Sequence, residues 1–328
     1  MPLKLHFLNI GHGDCTFIEF PSGRLTMIDV NNSTSLPDAD QDALAAAKGL
    51  SRAAFKGIGI SLRPGQRTWE AYYRSLLVDP YDFYQQRLAG QPIHRYLQTH
   101  PDLDHMTGLH NFFFDKRVPL LNLWDTDNSK TKTEDDFAGT PHAWADWTAY
   151  TALRNGVSLE YQQPKLLKLT RGQTGDYWTQ DGITILSPTN ALVAICNSTE
   201  SWNDASYVLR VDYGGRRVIL PGDAEHLAWS TMLEALGTDP LRCDLLKAAH
   251  HGRESGFHEA AAKAMSPRIV VCSVGKKPDT DASDEYAALG ADVLSTRYHG
   301  TISATIWEDG EVWVDDRTGT RIASLPAL

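Results

Sequence analysis

Between Thr99 and His105 the chain reads Thr-His-Pro-Asp-Leu-Asp-His, so that four metal-capable side chains, His100, Asp102, Asp104 and His105, fall within six residues. A packed core has no use for two imidazoles and two carboxylates so close together. Asp102 and Asp104 repel each other, and burying either one unpaired costs several kcal/mol. A divalent cation reverses that cost. The rival reading is a solvated acidic loop in which Asp caps a helix starting near His105. A metal site needs ligands from elsewhere, so the fold must carry other parts of the chain to this point.

Two further places supply them, both at the end of an apolar run. Arg217 to Pro221 stops at Gly222-Asp223-Ala224-Glu225-His226, and Leu241 to Ala248 leads into His250-His251-Gly252. The first cluster itself follows the run Ile93 to Leu97. Strand ends are where α/β proteins place their sites, because loops present side chains there while the sheet holds them still. Imidazole together with carboxylate suits Zn, Mn or Fe.

The remaining periodicities fit an α/β chain. Leu3 to Ile10, Cys15 to Phe20 and Leu25 to Val30, separated by Gly11-His12-Gly13-Asp14 and Pro21-Ser22-Gly23, predict a β-meander. The Ala-rich stretch from Asp40 to Lys48 predicts a helix, within a helical insertion running to about residue 91. Leu109 to Phe114 predicts a short helix, Val118 to Trp124 a strand, Asp125 to Phe137 a polar loop and Trp144 to Asn155 a helix. Strands follow at Lys165 to Leu169, Ile183 to Ser187, Tyr207 to Asp212 and Arg217 to Pro221, then a helix at Trp229 to Leu236 and a β-branched run at Ile269 to Val274. Gly300 to Trp307 and Gly310 to Val314 predict a closing hairpin, with Trp307 and Trp313 packing across it.

Composition narrows the function classes. The 328 residues are 42% hydrophobic and 22% charged, enough for a sizeable core. The first residues lack the apolar run of a signal peptide, and no segment approaches the roughly 18 consecutive apolar residues of a membrane span. The expectation is a cytoplasmic protein with no membrane contact. Cys15, Cys196, Cys243 and Cys272 are far apart and form no CxxC pair, which predicts buried thiols rather than disulfides or a thiolate metal site. A net charge of -10 argues against a broad nucleic-acid-coating surface, while leaving room for a small basic groove beside a metal.

Taken as an ordered set, these motifs resemble the metallo-β-lactamase-fold hydrolases, and specifically the soluble nuclease-like domain of ComEC-type DNA-uptake proteins. The matching stretches are Leu8 to Asp14, Met27 to Asp29, Thr99 to His105, Leu220 to Glu225 and Leu245 to Gly252. The resemblance implies a four-layer αβ/βα sandwich, one domain over residues 1–328 with insertions at about 37–91 and 125–165. It implies two divalent metal ions, Zn or Mn. One would sit on His100 and Asp102, the other on Asp104, His105 and His250, with Asp223 bridging; His250 is taken over His251 on the family's pattern.

Phosphodiester hydrolysis of a nucleic acid follows from the same resemblance, with Asp104 and Asp223 as the carboxylates at the reacting centre. Asp204, His251 and Asp14 are further candidates for the centre, Asp29 would fix the loop around it, and Lys247, Arg253, Lys276 and Lys277 are the cations available to a phosphate backbone. Three features depart from the family's pattern. Arg253 follows Gly252 where ComEC-like members usually continue with Ser, whereas Asp102, in place of the wider superfamily's second histidine, is a replacement that ComEC-like members often carry. Only His110 and His142 are available where another ligand histidine is usual, and Lys276-Lys277-Pro278-Asp279 replaces the usual Asn and His. Two other functions fit these departures: hydrolysis of a small ester, lactone or thioester, or a metal-stabilised interaction module without turnover.

Overall fold

The computed structural model describes residues 1–32, 35–60, 67–88, 90–156, 163–274 and 280–328. Among these, fifteen strands form two sheets. The first sheet, of nine strands, begins with β1 (Leu3–Phe7), where alternation buries Leu3, Leu5 and Phe7 and leaves Lys4 and His6 half-buried. β2 (Thr16–Glu19), β3 (Leu25–Ile28), β4 (Ile93–Leu97), β5 (Asn122–Trp124) and β6 (Lys165–Leu167) extend the first sheet. The second sheet holds β7 (Ile183–Ser187), β8 (Val208–Tyr213), β9 (Arg216–Leu220), β10 (Leu245–Lys247), β11 (Ile269–Cys272) and β12 (Asp292–Ser295). The chain then returns to the first sheet with β13 (Ile302–Ile306), β14 (Val312–Asp315) and β15 (Arg321–Leu325), beside β1.

Each sheet is antiparallel on one side and parallel on the other. Pairing is antiparallel from β15 through β3 and parallel from β3 through β6; it is parallel from β12 through β9 and antiparallel from β9 through β7. The parallel strand β11 is buried at every position, as a strand covered on both faces must be.

Helices cover the outer faces. Between β3 and β4 lie α1 (Asp38–Ala46), α2 (Arg52–Gly57), α3 (Trp69–Arg74) and α4 (Pro80–Arg87); later come α5 (Trp144–Arg154), α6 (Asp176–Gln180), α7 (Asn190–Thr199), α8 (His226–Leu236), α9 (Glu259–Met265), α10 (Ser283–Ala288) and α11 (Thr296–His299). Leu5, Ile18, Leu97 and Trp124 of the first sheet meet Val211, Leu220, Leu245 and Ile269 of the second in the core between them. Tyr84 of α4 and Trp147 and Tyr150 of α5 pack on Met27, Tyr96 and Leu123 at the outer face of the first sheet. Cys196 of α7, Trp229 and Met232 of α8 and Met265 of α9 cover Ile219, Leu246 and Val270 of the second. Helix, sheet, sheet, helix is the αβ/βα layer order expected of the metallo-β-lactamase fold. Leu44, Phe55 and Tyr73 give α1 to α3 a small core of their own.

Several elements differ from the sequence reading. β1 stops at Phe7; one more bond in the register of the β1–β2 ladder, Leu8 N–H to Cys15 O (3.1 Å), precedes the glycine turn. Leu109 to Phe114 becomes a turn of π-helix at Asn111–Asp115, and part of the polar loop forms a short 3₁₀ turn at Glu134–Phe137. The cysteines are buried thiols, and no helix of the described residues is long and apolar enough to cross a membrane.

The ends of β3, β4, β9 and β10 are knitted together by backbone hydrogen bonds. Asp29 N–H donates to Leu97 O (2.9 Å), Val30 N–H to His105 O (3.0 Å), Tyr207 N–H to Thr99 O (3.1 Å) and His250 N–H to Gly222 O (3.2 Å). Gly13, at φ +108°, lies so close to Asp104 O and the Asn31 side chain that any Cβ there would collide with both. The glycine turn is thus pressed directly against the His100 to His105 loop.

Candidate metal centre

Four imidazole nitrogens converge on one carboxylate oxygen. Asp223 Oδ2 lies 3.1 Å from His105 Nε2, 3.4 Å from His251 Nε2, 3.7 Å from His250 Nε2 and 3.9 Å from His100 Nε2. Asp104 Oδ2 is 3.4 Å from His251 Nε2 and 3.2 Å from Nε2 of the half-exposed His12. One ligand atom each from Asp14, His105, Asp223 and His251, all buried, lie within 4.8 Å of one another. With metal–ligand bonds of about 2.0–2.2 Å, two ligands of a tetrahedral ion stand about 3.4 Å apart, so these separations are those of a coordination shell.

The ring nitrogens are aimed by their other partners. His105 Nδ1–H donates to Asp29 Oδ2 (2.7 Å), a carboxylate that also accepts from Thr99 N–H (2.7 Å) and Thr99 O–H (2.6 Å). Because the Thr99 hydroxyl gives its proton to Asp29, its oxygen accepts from His100 Nδ1 (3.0 Å), and His250 Nδ1–H donates to Glu225 Oε1 (2.9 Å). All three rings then turn Nε2 toward Asp223, the nitrogen that a metal would take once it is deprotonated.

Donors left without partners test the fit. His100 Nε2, Asp223 Oδ1 and both ring nitrogens of His251 are buried with no hydrogen-bond partner. Buried polar atoms are normally satisfied, so a cluster of orphans made wholly of imidazole and carboxylate fits a divalent ion. Electrostatics agree. Burial pushes the Asp223 carboxyl up, but His105, His251 and His100 outweigh it and hold the group well below the ordinary range. Burial pulls the His105 imidazolium down, yet Asp223, Asp29 and Asp104 keep it well above the usual histidine value.

Asp29→Asn disturbs the acceptor that fixes His105; comparable outer partners cost 10–100-fold in metal affinity. A competition titration of the folded variant is expected to show a loss of about that size, and unchanged affinity would remove Asp29 from the centre. A metal on His105 Nε2 must displace a proton held more tightly than in an ordinary histidine, so affinity rises with pH. Tighter binding is expected at about pH 8 than at about pH 6; equal affinity would contradict it.

The structure brings together most of the residues singled out from sequence. His100, Asp102, Asp104, His105, Asp223, His250, His251 and Asp14 all surround the centre, and His251 rather than His250 is the ring that touches both Asp104 and Asp223. Asp204 is turned away: its Oδ1 accepts from Glu225 N–H (3.2 Å) and Ala228 N–H (2.9 Å), at the start of α8. Lys247 is buried beneath the centre with Nζ 2.5 Å from Asp14 Oδ2, so it faces inward rather than toward a phosphate backbone. His142 bonds Thr107 instead, and Lys276 and Lys277 lie outside the described residues. Sequence reasoning missed Glu225, whose place beside Asp223 was an available signal, and Lys130, which pairs with Asp102 from 28 residues away.

No protein-family model and no curated protein sequence matches the chain. Solved structures do resemble it at low identity. Igni18, a metallo hydrolase from Ignicoccus hospitalis, aligns over 92% of this chain and 98% of its own at 13% identity, TM-score 0.45. CmlA, a diiron β-hydroxylase from Streptomyces venezuelae, aligns over 92% of this chain and 53% of its own at 12% identity, TM-score 0.48. YhfI from Bacillus subtilis, a metallo-β-lactamase fold protein, aligns over 96% and 100% at 12% identity, TM-score 0.43. What the centre does is therefore read from its own residues: a buried His/Asp cluster that could hold a metal ion, at one end of an αβ/βα sandwich.

Proposed function

We propose that the chain is a metal-dependent hydrolase acting on phosphodiesters, with nucleic acid as the substrate class. The observation that carries this is the convergence of four imidazoles on Asp223 Oδ2 at a strand-end loop cluster. Asp104, His105, His251 and Asp223 would hold the ion, with Asp14 beside them. A divalent ion there supplies Lewis acidity and lowers the pKa of water at neutral pH.

The chain's own residues do the rest. Asp223 gathers the rings, Asp29 and Thr99 keep His105 and His100 in one tautomer, and Asp14 with Lys247 closes the floor of the centre. His12 is half-exposed and contacts Asp104, which places an imidazole at the rim, able to exchange a proton with a bound substrate. The motif set from Leu8 to Gly252, with Asp102 in the second position, supports the phosphodiester choice over other substrates of such centres.

The test is an assay of purified protein, supplied with Mn or with Zn, on DNA, RNA and bis(p-nitrophenyl) phosphate. Turnover of at least one diester is expected. Protein that binds metal yet leaves all three intact would overturn the assignment, and turnover of small esters or lactones alone would replace it with an esterase-type function.

A further inference from the structure

The two sides of the centre are unequally built. Toward His251 stand Asp14, His105, His251 and Asp223, with one ligand atom each within 4.8 Å of one another, and Asp104 Oδ2 lies 3.4 Å from His251 Nε2. Toward His100 they thin out: His100 Nε2 is buried without a hydrogen-bond partner, 3.8 Å from Asp102 Oδ2 and 3.9 Å from Asp223 Oδ2. What closes this side is an ammonium, since Lys130 Nζ forms an ion pair with Asp102 Oδ1.

Lys130 is held in place rather than draped there. Its side chain is only 12% exposed and its ammonium sits 4.8 Å from the centre of the Trp202 ring, a cation–π contact. The loop that carries it is pinned from both flanks. Asn128 Oδ1 accepts from Arg154 Nη1 (2.9 Å) and from Lys130 N–H (3.3 Å), and Asn128 Nδ2 donates to Tyr150 O–H (2.9 Å), tying the loop to α5. Ser129 N–H donates to Asn197 Oδ1 (2.8 Å), while Asn197 Nδ2 donates to Asp127 O (3.0 Å), tying it to α7. Arg154 Nε in turn meets the buried Asp125 carboxylate (3.2 Å).

We propose that the Lys130 ammonium takes the charge position of a second divalent ion, so that this chain binds one metal, on the Asp104, His105, His251 and Asp223 side. The inference rests on the metal-centre assignment above. Asp102 already has its counter-charge, and an incoming ion at His100 would be repelled by an ammonium held between Asp102 and the Trp202 ring, on a loop tied to α5 and α7. Removing that ammonium frees Asp102, which with His100 and Asp223 makes three protein ligands, enough for a metal position that keeps an open coordination site.

The experiment counts metal, independently of hydrolysis. Chelator-stripped protein is titrated with Zn by calorimetry, and the ion retained after desalting is measured by elemental analysis. The parent is expected to bind one equivalent, Lys130→Ala two, and Lys130→Ala with Asp102→Ala one again. Lys130→Met, which keeps the stem against Trp202, is expected to match Lys130→Ala, so a packing defect in one variant does not decide the result. The equivalent retained in both also shows that the centre has kept its shape. Two equivalents in the parent, or one in both Lys130 variants, would overturn the proposal while leaving the metal centre standing. None in any protein would overturn the metal centre itself, and the proposal with it.

Discussion

Asp223→Ala is expected to abolish hydrolysis and metal binding together. Its Oδ2 is the point that four ring nitrogens face, so no other single residue is shared by as much of the centre. Changing groups outside the ligand shell already costs 10–100-fold in metal affinity, and losing the shared carboxylate costs more. The effect is visible without a substrate. A ligand that binds only the folded state at 100 times its Kd adds about 2.7 kcal/mol of stability, so the parent's unfolding midpoint rises when metal is added. The variant's midpoint is expected not to move. A variant that still gained stability from metal would show that the ion sits elsewhere.

The second large effect is on folding alone. Asp181 is fully buried and takes Arg95 Nη2 at 2.6 Å, Arg24 Nε at 3.0 Å and the Ser22 hydroxyl at 2.6 Å. Arg95 is 1% exposed, wedged between the Phe20 and Trp124 rings on β4. Asp181→Ala leaves that guanidinium buried and uncompensated, a change that costs about 3–5 kcal/mol when one partner of a buried pair is lost. Against a typical stability of about 5–15 kcal/mol this is severe. Denaturant unfolding is expected to show it, with Arg95→Met plus Asp181→Leu recovering most of the loss. A shift below about 1 kcal/mol in Asp181→Ala would mean that the pair is hydrated or replaceable.

The parts of the fold that were legible in the sequence are those where one local pattern suffices. Leu3, Leu5 and Phe7 alternate, Ile269 to Cys272 is continuously apolar, and both patterns became strands of the expected type. β15 was not legible: in Arg321–Leu325 the pattern exposed, partly buried, partly buried, exposed, buried has no period of two, and its ladder with β14 makes it a strand. α7 and α9 were also unread, although Thr189 and His258 cap them with side-chain acceptors.

In the centre, the close-packed ligands of the His100 to His105 loop and the strand-end positions of Asp223 and His250-His251 could be read, because chemistry and spacing coincide there. The choice between His250 and His251 could not. It depends on two successive residues at positive φ, 48° and 58°, which turn the rings to different neighbours. Lys130 could not be read either. Its partner lies across a loop whose position is set by Asn128, Arg154 and Asn197, contacts that exist only after α5 and α7 have packed.

Whether these imidazoles and carboxylates hold an ion is read from anomalous X-ray diffraction of crystals grown with Zn and measured on either side of the Zn absorption edge. An edge-specific peak enclosed by Asp104, His105, His251 and Asp223 is expected. A structure with Zn present in the crystal but no peak there, the four side chains hydrogen-bonded to one another or to water instead, would contradict it.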